Sequence, residues 1–171
     1  MSATGISIRR KPVATLLLGG MVVGTIDLLF AWGFWSRWGV MLADILRSIA
    51  AGWYGEASRH MGAVGAIVGA VSHYIIAVAF VVAYWVAGRR HPRLFTHPNL
   101  YGAIYGALLY VVMNFVVLPL SAAGLPSFSN KAWIASSVIV HVMLGIGCAW
   151  FSKSARDTRR VRPVSVLRPA P

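Results

Sequence analysis

Four stretches of the chain stay apolar for long enough to cross a bilayer, which takes about 20 helical residues. They run from Val13 to Trp35, from Gly62 to Ala87, from Leu100 to Leu120 and from Ala132 to Phe151, and none holds a Lys or Arg. The predicted fold class is all-α: a polytopic membrane protein with four transmembrane helices in one bundle, a single domain over residues 1–152. Between the first two spans the pattern changes. From Arg37 to Trp53, apolar Trp38, Met41, Leu42, Ile45, Ile49 and Trp53 recur at helical spacing, with Arg37, Asp44, Arg47 and Ser48 opposite. This predicts a short outer amphipathic helix over 37–53. It either lies on the membrane surface or caps the bundle as part of its core; periodicity serves both. Residues 153–171 are basic, contain Pro163, Pro169 and Pro171 and lose apolar periodicity, which predicts a disordered cytoplasmic tail.

Composition narrows the class. Hydrophobic residues make up 58% of the 171 residues and charged ones 12%, against about a quarter charged in an ordinary soluble domain. A disordered chain, a disulfide scaffold (Cys148 is the sole cysteine) and most soluble enzymes are excluded. The net charge of +12 is not spread evenly. Arg9, Arg10 and Lys11 precede the first span; Arg89, Arg90 and Arg93 join the second to the third; Lys153, Arg156, Arg159, Arg160, Arg162 and Arg168 follow the fourth. The opposite side has Arg37, Arg47, Arg59 and Lys131. The positive-inside rule then places both termini in the cytoplasm. The first span is longer than the roughly 7–15 apolar residues of a signal-peptide core and lacks an Ala-x-Ala site, so it reads as a retained anchor. Splitting the charge among three segments speaks for topology and against nucleic acid. The partners implied are the bilayer and, for the tail, anionic lipid at about 1 kcal/mol per basic residue. Trp32, Trp35 and Trp38, Tyr84 and Trp85, Tyr101, and Trp133 and Trp150 mark the expected interfaces.

Each span carries small residues along one face, the usual mark of close helix contact in lipid. They are Gly20 and Gly24, Gly65 and Gly69, Gly102 and Gly106, and Gly145. Gly20/Gly24 or Gly102/Gly106 are also candidate faces for a homo-oligomer. On the same faces stand the strongly polar residues at membrane depth: Asp27, His73, Asn114 and His141, with Tyr110 one turn from Asn114. Each lies within a few residues of its span's middle, displaced outward, so at about 1.5 Å per residue all four share one layer. A charged Asp there costs about 2.5–3.5 kcal/mol on insertion scales and needs an interior partner.

What such a layer does is open at this level. It is either packing glue, since interhelical polar contacts in membranes average about 0.6 kcal/mol, or a proton-relay or pH-sensing site, since His titrates between about pH 5 and 8. Less well supported are a b-type haem held by His73 and His141, without an attachment motif, and a metal site of Asp27, His73 and His141. His60, His91 and His97 read as solvated loop residues. No phosphate loop, nucleophile elbow or zinc-protease motif occurs, and four acidic residues give little material for acid–base hydrolysis, so the chain reads as non-enzymatic.

The run Ser72-His73-Tyr74-Ile75-Ile76-Ala77-Val78-Ala79-Phe80-Val81-Val82-Ala83-Tyr84 resembles the second span of the YagU-type bacterial inner-membrane proteins, a family of unknown function. The likeness extends to Tyr101–Leu120 and to the level of His141, about half of the chain. Asn114 stands where the family pattern suggests a His, and the segment between the first two spans is shorter. The resemblance implies a small polytopic inner-membrane protein linked to survival in acid, and no catalytic residues.

Overall fold

The computed structural model describes residues 12–160. It holds five helices: α1 (Pro12–Trp35), α2 (Leu42–Tyr54), α3 (Gly62–Arg90), α4 (Pro98–Leu120) and α5 (Lys131–Arg160). No strand forms among the described residues. All but α2 are long and apolar enough to cross a membrane, which makes this an all-α multi-pass membrane protein. The outward faces carry exposed Val64, Ile67, Ile75 and Ile139, each at least 60% exposed, as a lipid-facing surface requires.

Local chemistry sets the helix ends. A 3-10 turn, Ser36–Trp38, follows α1, and Gly39 takes a left-handed φ of 79° that side chains rarely adopt. That break moves the start of the amphipathic helix from the expected Arg37 to Leu42. There the Asp44 carboxylate accepts a hydrogen bond from the Met41 N–H at 2.9 Å and pairs with Arg47. Asn130 caps α5 by accepting from the Trp133 N–H at 3.0 Å. Pro119 has no N–H to offer the carbonyl one turn back, and upstream of it α4 widens into a π turn over Met113–Val117 that the apolar pattern did not announce.

α5 is the central element, packed against α4, α1 and α3, while α2 lies along α3. The α3 and α4 backbones stand apart and are bridged near the Arg89 end by Tyr105, whose ring packs edge-on against Tyr84 at 5.1 Å. Every small residue named above serves contacts within the chain. Gly20 and Gly24 meet Val78 and Ala77 of α3; Gly69 meets the Leu46 backbone of α2; Gly65 meets Ser58 and Met61. Gly102 and Gly106 receive the α5 backbone at Ile146 and Val142, and Gly145 returns the contact. Neither Gly20/Gly24 nor Gly102/Gly106 is therefore free to face another copy, and the motive for a homo-oligomer through them falls away.

Three further expectations change. The close α2–α3 crossing, with Ala50 fully buried, decides for a helix built into the bundle over one resting on the membrane surface. Second, α5 does not stop near Phe151. Cys148, Ala149, Ser152 and Ala155, all 0% exposed, prolong one small-residue face, while Lys153 and Arg156 rest on the rings of Trp150 and Phe95. Residues 153–160 are thus helix, and the rest of the expected tail lies outside the described residues. Third, Tyr84 is no interface marker. It is 2% exposed and donates its hydroxyl to the Leu94 carbonyl at 2.9 Å.

Candidate functional site

The bundle is divided into two halves of different packing. Toward the Arg89 end of α3, Val81, Tyr84, Phe95, Cys148 and Ala149 form a dense core. Two hydroxyls there are tied to backbone: Tyr105 donates to the Phe80 carbonyl at 2.9 Å and Ser152 to the Val81 carbonyl at 3.0 Å. Toward the α2 side the helices stand apart around a cavity of about 670 Å³. Val23, Ala77, Phe80 and Leu144 form its inner wall, above the dense core. Trp53 and Leu120, 68% and 83% exposed, stand at its rim.

Asp27 on α1, His73 on α3, Asn114 on α4 and His141 on α5 all line this cavity. The helix contacts explain how. Gly24 lets α3 approach α1, and the His73 ring donates its Nε2–H to the Gly24 carbonyl at 2.8 Å. Gly106 meets the α5 backbone beside His141, so the Tyr110 ring packs edge-on against the His141 ring at 5.5 Å. Tyr110 does not itself line the cavity; it buttresses His141 from α4. His141 donates its Nδ1–H to the Ser137 carbonyl at 2.8 Å. Asn114 stands in the π turn and donates Nδ2–H to the Tyr110 carbonyl at 2.9 Å, which serves a backbone acceptor where the regular ladder skips.

These bonds fix the polarity of the site. Each imidazole uses one nitrogen as a donor to a backbone carbonyl, which in a neutral ring leaves the other as an acceptor. That acceptor is Nδ1 in His73 and Nε2 in His141. The Asn114 carbonyl oxygen is also left over. Asp27 stands on the same cavity as both rings. Neither ring comes within the 4.0 Å of an ion pair, and the carboxylate makes no hydrogen bond among the described residues. The acid and the bases thus line one open space, without an ion pair, that is large enough for water.

Comparison of the chain with protein-family models, with curated proteins and with solved structures gives no match.

The geometry weighs the remaining chemical readings. Among the described residues, no three His, Cys, Asp or Glu side chains are close enough to share a metal ion, which removes the site of Asp27, His73 and His141. A bis-histidine haem calls for a free nitrogen on each ring, commonly with the other ring nitrogen anchored to a carbonyl or carboxylate. His141 has the anchored Nδ1–H and free Nε2; His73 has the reverse, with Nε2 committed to Gly24. The two rings thus offer different nitrogens, Nε2 of His141 and Nδ1 of His73.

Sequence reasoning missed the rim. Trp35, Trp53 and Trp133 line the cavity, with Trp53 donating its indole N–H to Ser72 at 2.9 Å. Trp133 also joins Phe30, Phe34 and Trp35 in an aromatic cluster. Trp35 and Trp133 were visible as interface residues and Trp53 as part of the outer helix's apolar face, but not their gathering from α1, α2 and α5 around one opening.

Proposed function

We propose that this chain is a bacterial inner-membrane protein with both termini cytoplasmic, and that it serves pH or ion homeostasis by binding protons at Asp27, His73 and His141. The observation that carries this reading is the convergence of one carboxylate and two imidazoles, from three helices, on one cavity, with the carboxylate unbonded. Intramembrane ionisable groups that face a cavity are candidate proton sites by default. In this reading protons enter from the α2 side and bind at the spare imidazole nitrogens and at Asp27. Asn114, the remaining strongly polar lining group at that level, orients the water between them. The groups facing Asp27 are His73 from α3, His141 from α5 and Asn114 from α4; α2 contributes Ser48 and no charge to the lining. The dense inner half makes the site one-sided in this state, so protons are exchanged with the outer side alone. The resemblance to the YagU-type proteins adds the link to acid.

A second reading is packing glue. It is favoured by the backbone carbonyl partners that His73, Asn114 and His141 already have. The two part in cells carrying a cytoplasmic pH sensor, after an external drop to about pH 5. Wild type, His73→Ala, His141→Ala and a null strain are compared at matched membrane abundance. Proton handling predicts that wild type differs from the null and that both variants follow the null. Four overlaid traces leave glue.

A further inference from the structure

The cavity is far larger than a proton site needs. About 670 Å³ is the size of pocket that encloses a drug-sized molecule. Its lining has one acidic group, Asp27, and no Lys or Arg. Anions are therefore disfavoured. A bare metal ion wants several oxygen ligands, and the lining offers one carboxylate among largely apolar walls. The walls are aromatic on four helices: Trp35 from α1, Trp53 from α2, Phe80 from α3 and Trp133 from α5. Ring faces attract cations, most strongly where water is scarce. The α3 and α4 backbones stand apart, and Ile76 and Phe80 on one helix and Met113 and Val117 on the other line the cavity.

We infer that the cavity takes a lipophilic organic cation, which enters between α3 and α4, lies among the tryptophans and pairs with Asp27. The inference deepens the proton-site reading and rests on it in one respect: protons and the cation compete for the same negative charge. One negative charge at this depth is offset by a proton or by the cation, not by both. Cation binding therefore expels a proton, and acid expels the cation.

The test uses the full chain in lipid nanodiscs, with empty nanodiscs as blank. Tetraphenylphosphonium is the probe, and tetraphenylborate, of the same shape and opposite charge, is its control. The expected result is saturable binding of the cation at pH 8, weakened about tenfold at pH 5.5 and about tenfold by Asp27→Asn, which is the loss of roughly 1.4 kcal/mol. Trp53→Leu, at the exposed rim, weakens it several-fold while leaving the bundle intact, and tetraphenylborate shows no binding above the blank. Equal binding of the two ions, or full affinity in Asp27→Asn, overturns the inference. Binding that needs Asp27 but ignores pH overturns the competition, and with it the proton site. Absent cation binding beside a proton uptake that still depends on His73 and His141 overturns the cation alone.

Discussion

The crossing of α4 and α5 offers the sharpest test of how the site is held. A Cβ placed on Gly106 would stand 2.7 Å from the Val142 Cα and would also meet the His141 carbonyl. Carbon atoms pack at about 3.5–4.0 Å, so the shortfall is roughly 1 Å. The opposing atoms are backbone and cannot rotate away, so α4 must shift bodily from α5. Overpacking of this kind costs about 1–3 kcal/mol. In lipid the spans stay helical when the bundle comes apart, because their backbone has no other hydrogen-bond partners. The usual helix-propensity gain of Ala over Gly therefore drops out, and the steric cost stands alone. Gly33→Ala is the matched control, since a Cβ there meets nothing within 4 Å. Reversible unfolding of the two variants in bicelles or mixed micelles should place Gly106→Ala about 1–3 kcal/mol below wild type and Gly33→Ala within about 0.5 kcal/mol of it. Equal stability of the two would refute the reasoning and, with it, the claim that this crossing positions His141 and Asn114.

Other consequences are independent of that one. Tyr105→Phe loses the bond to the Phe80 carbonyl, costs about 0.6 kcal/mol by the average for interhelical polar contacts in membranes, and leaves proton uptake unchanged, because Tyr105 does not line the cavity. In a Cys148→Ala background, Ser48→Cys in the cavity lining should react with a small charged thiol reagent, and Ser152→Cys, at a fully buried position, should not. The Asp44 carboxyl is held below the usual carboxylate value, first by the Met41 N–H and then by Arg47. Its contribution to the start of α2 is therefore complete above about pH 4 and lost as pH falls through the lowered value. Amide exchange at residues 41–45 should rise in that acid window, and Asp44→Ala should abolish the pH dependence.

Much of this architecture was legible in the chain. The four spans stand out because lipid tolerates few charges, and the small-residue faces because lipid gives helices no other reason to approach. Asp27, His73, Asn114 and His141 could be placed at one level because depth follows from helical rise, and all four do line one cavity. What depth alone does not encode is which helices touch. α5 at the centre, α2 laid on α3 through Gly69, and the gap between α3 and α4 are properties of side-chain fit across the bundle. Local breaks were also hidden. Pro119 was visible, but the π turn that puts Asn114 on the cavity depends on how α4 relaxes around it. Gly39 carried the signal that ends the 3-10 turn, masked by the apolar period running through Trp38 and Met41. Past Phe151 the charged residues obscured the small-residue face of Ser152 and Ala155 that keeps α5 helical.

The central claim is that Asp27, His73 and His141 form one proton-binding site open to water. It is tested most directly by counting protons. Purified protein in nanodiscs, in weak buffer with an indicator dye, is taken from pH 7.5 to pH 5, the range in which imidazoles charge. Wild type should take up more protons than His73→Gln/His141→Gln, by up to about two per chain, and Asp27→Asn should change the uptake as well, because it removes one of the three proposed proton-binding groups. Identical uptake by wild type and all variants, with folding intact, would contradict the account and leave the polar layer as packing.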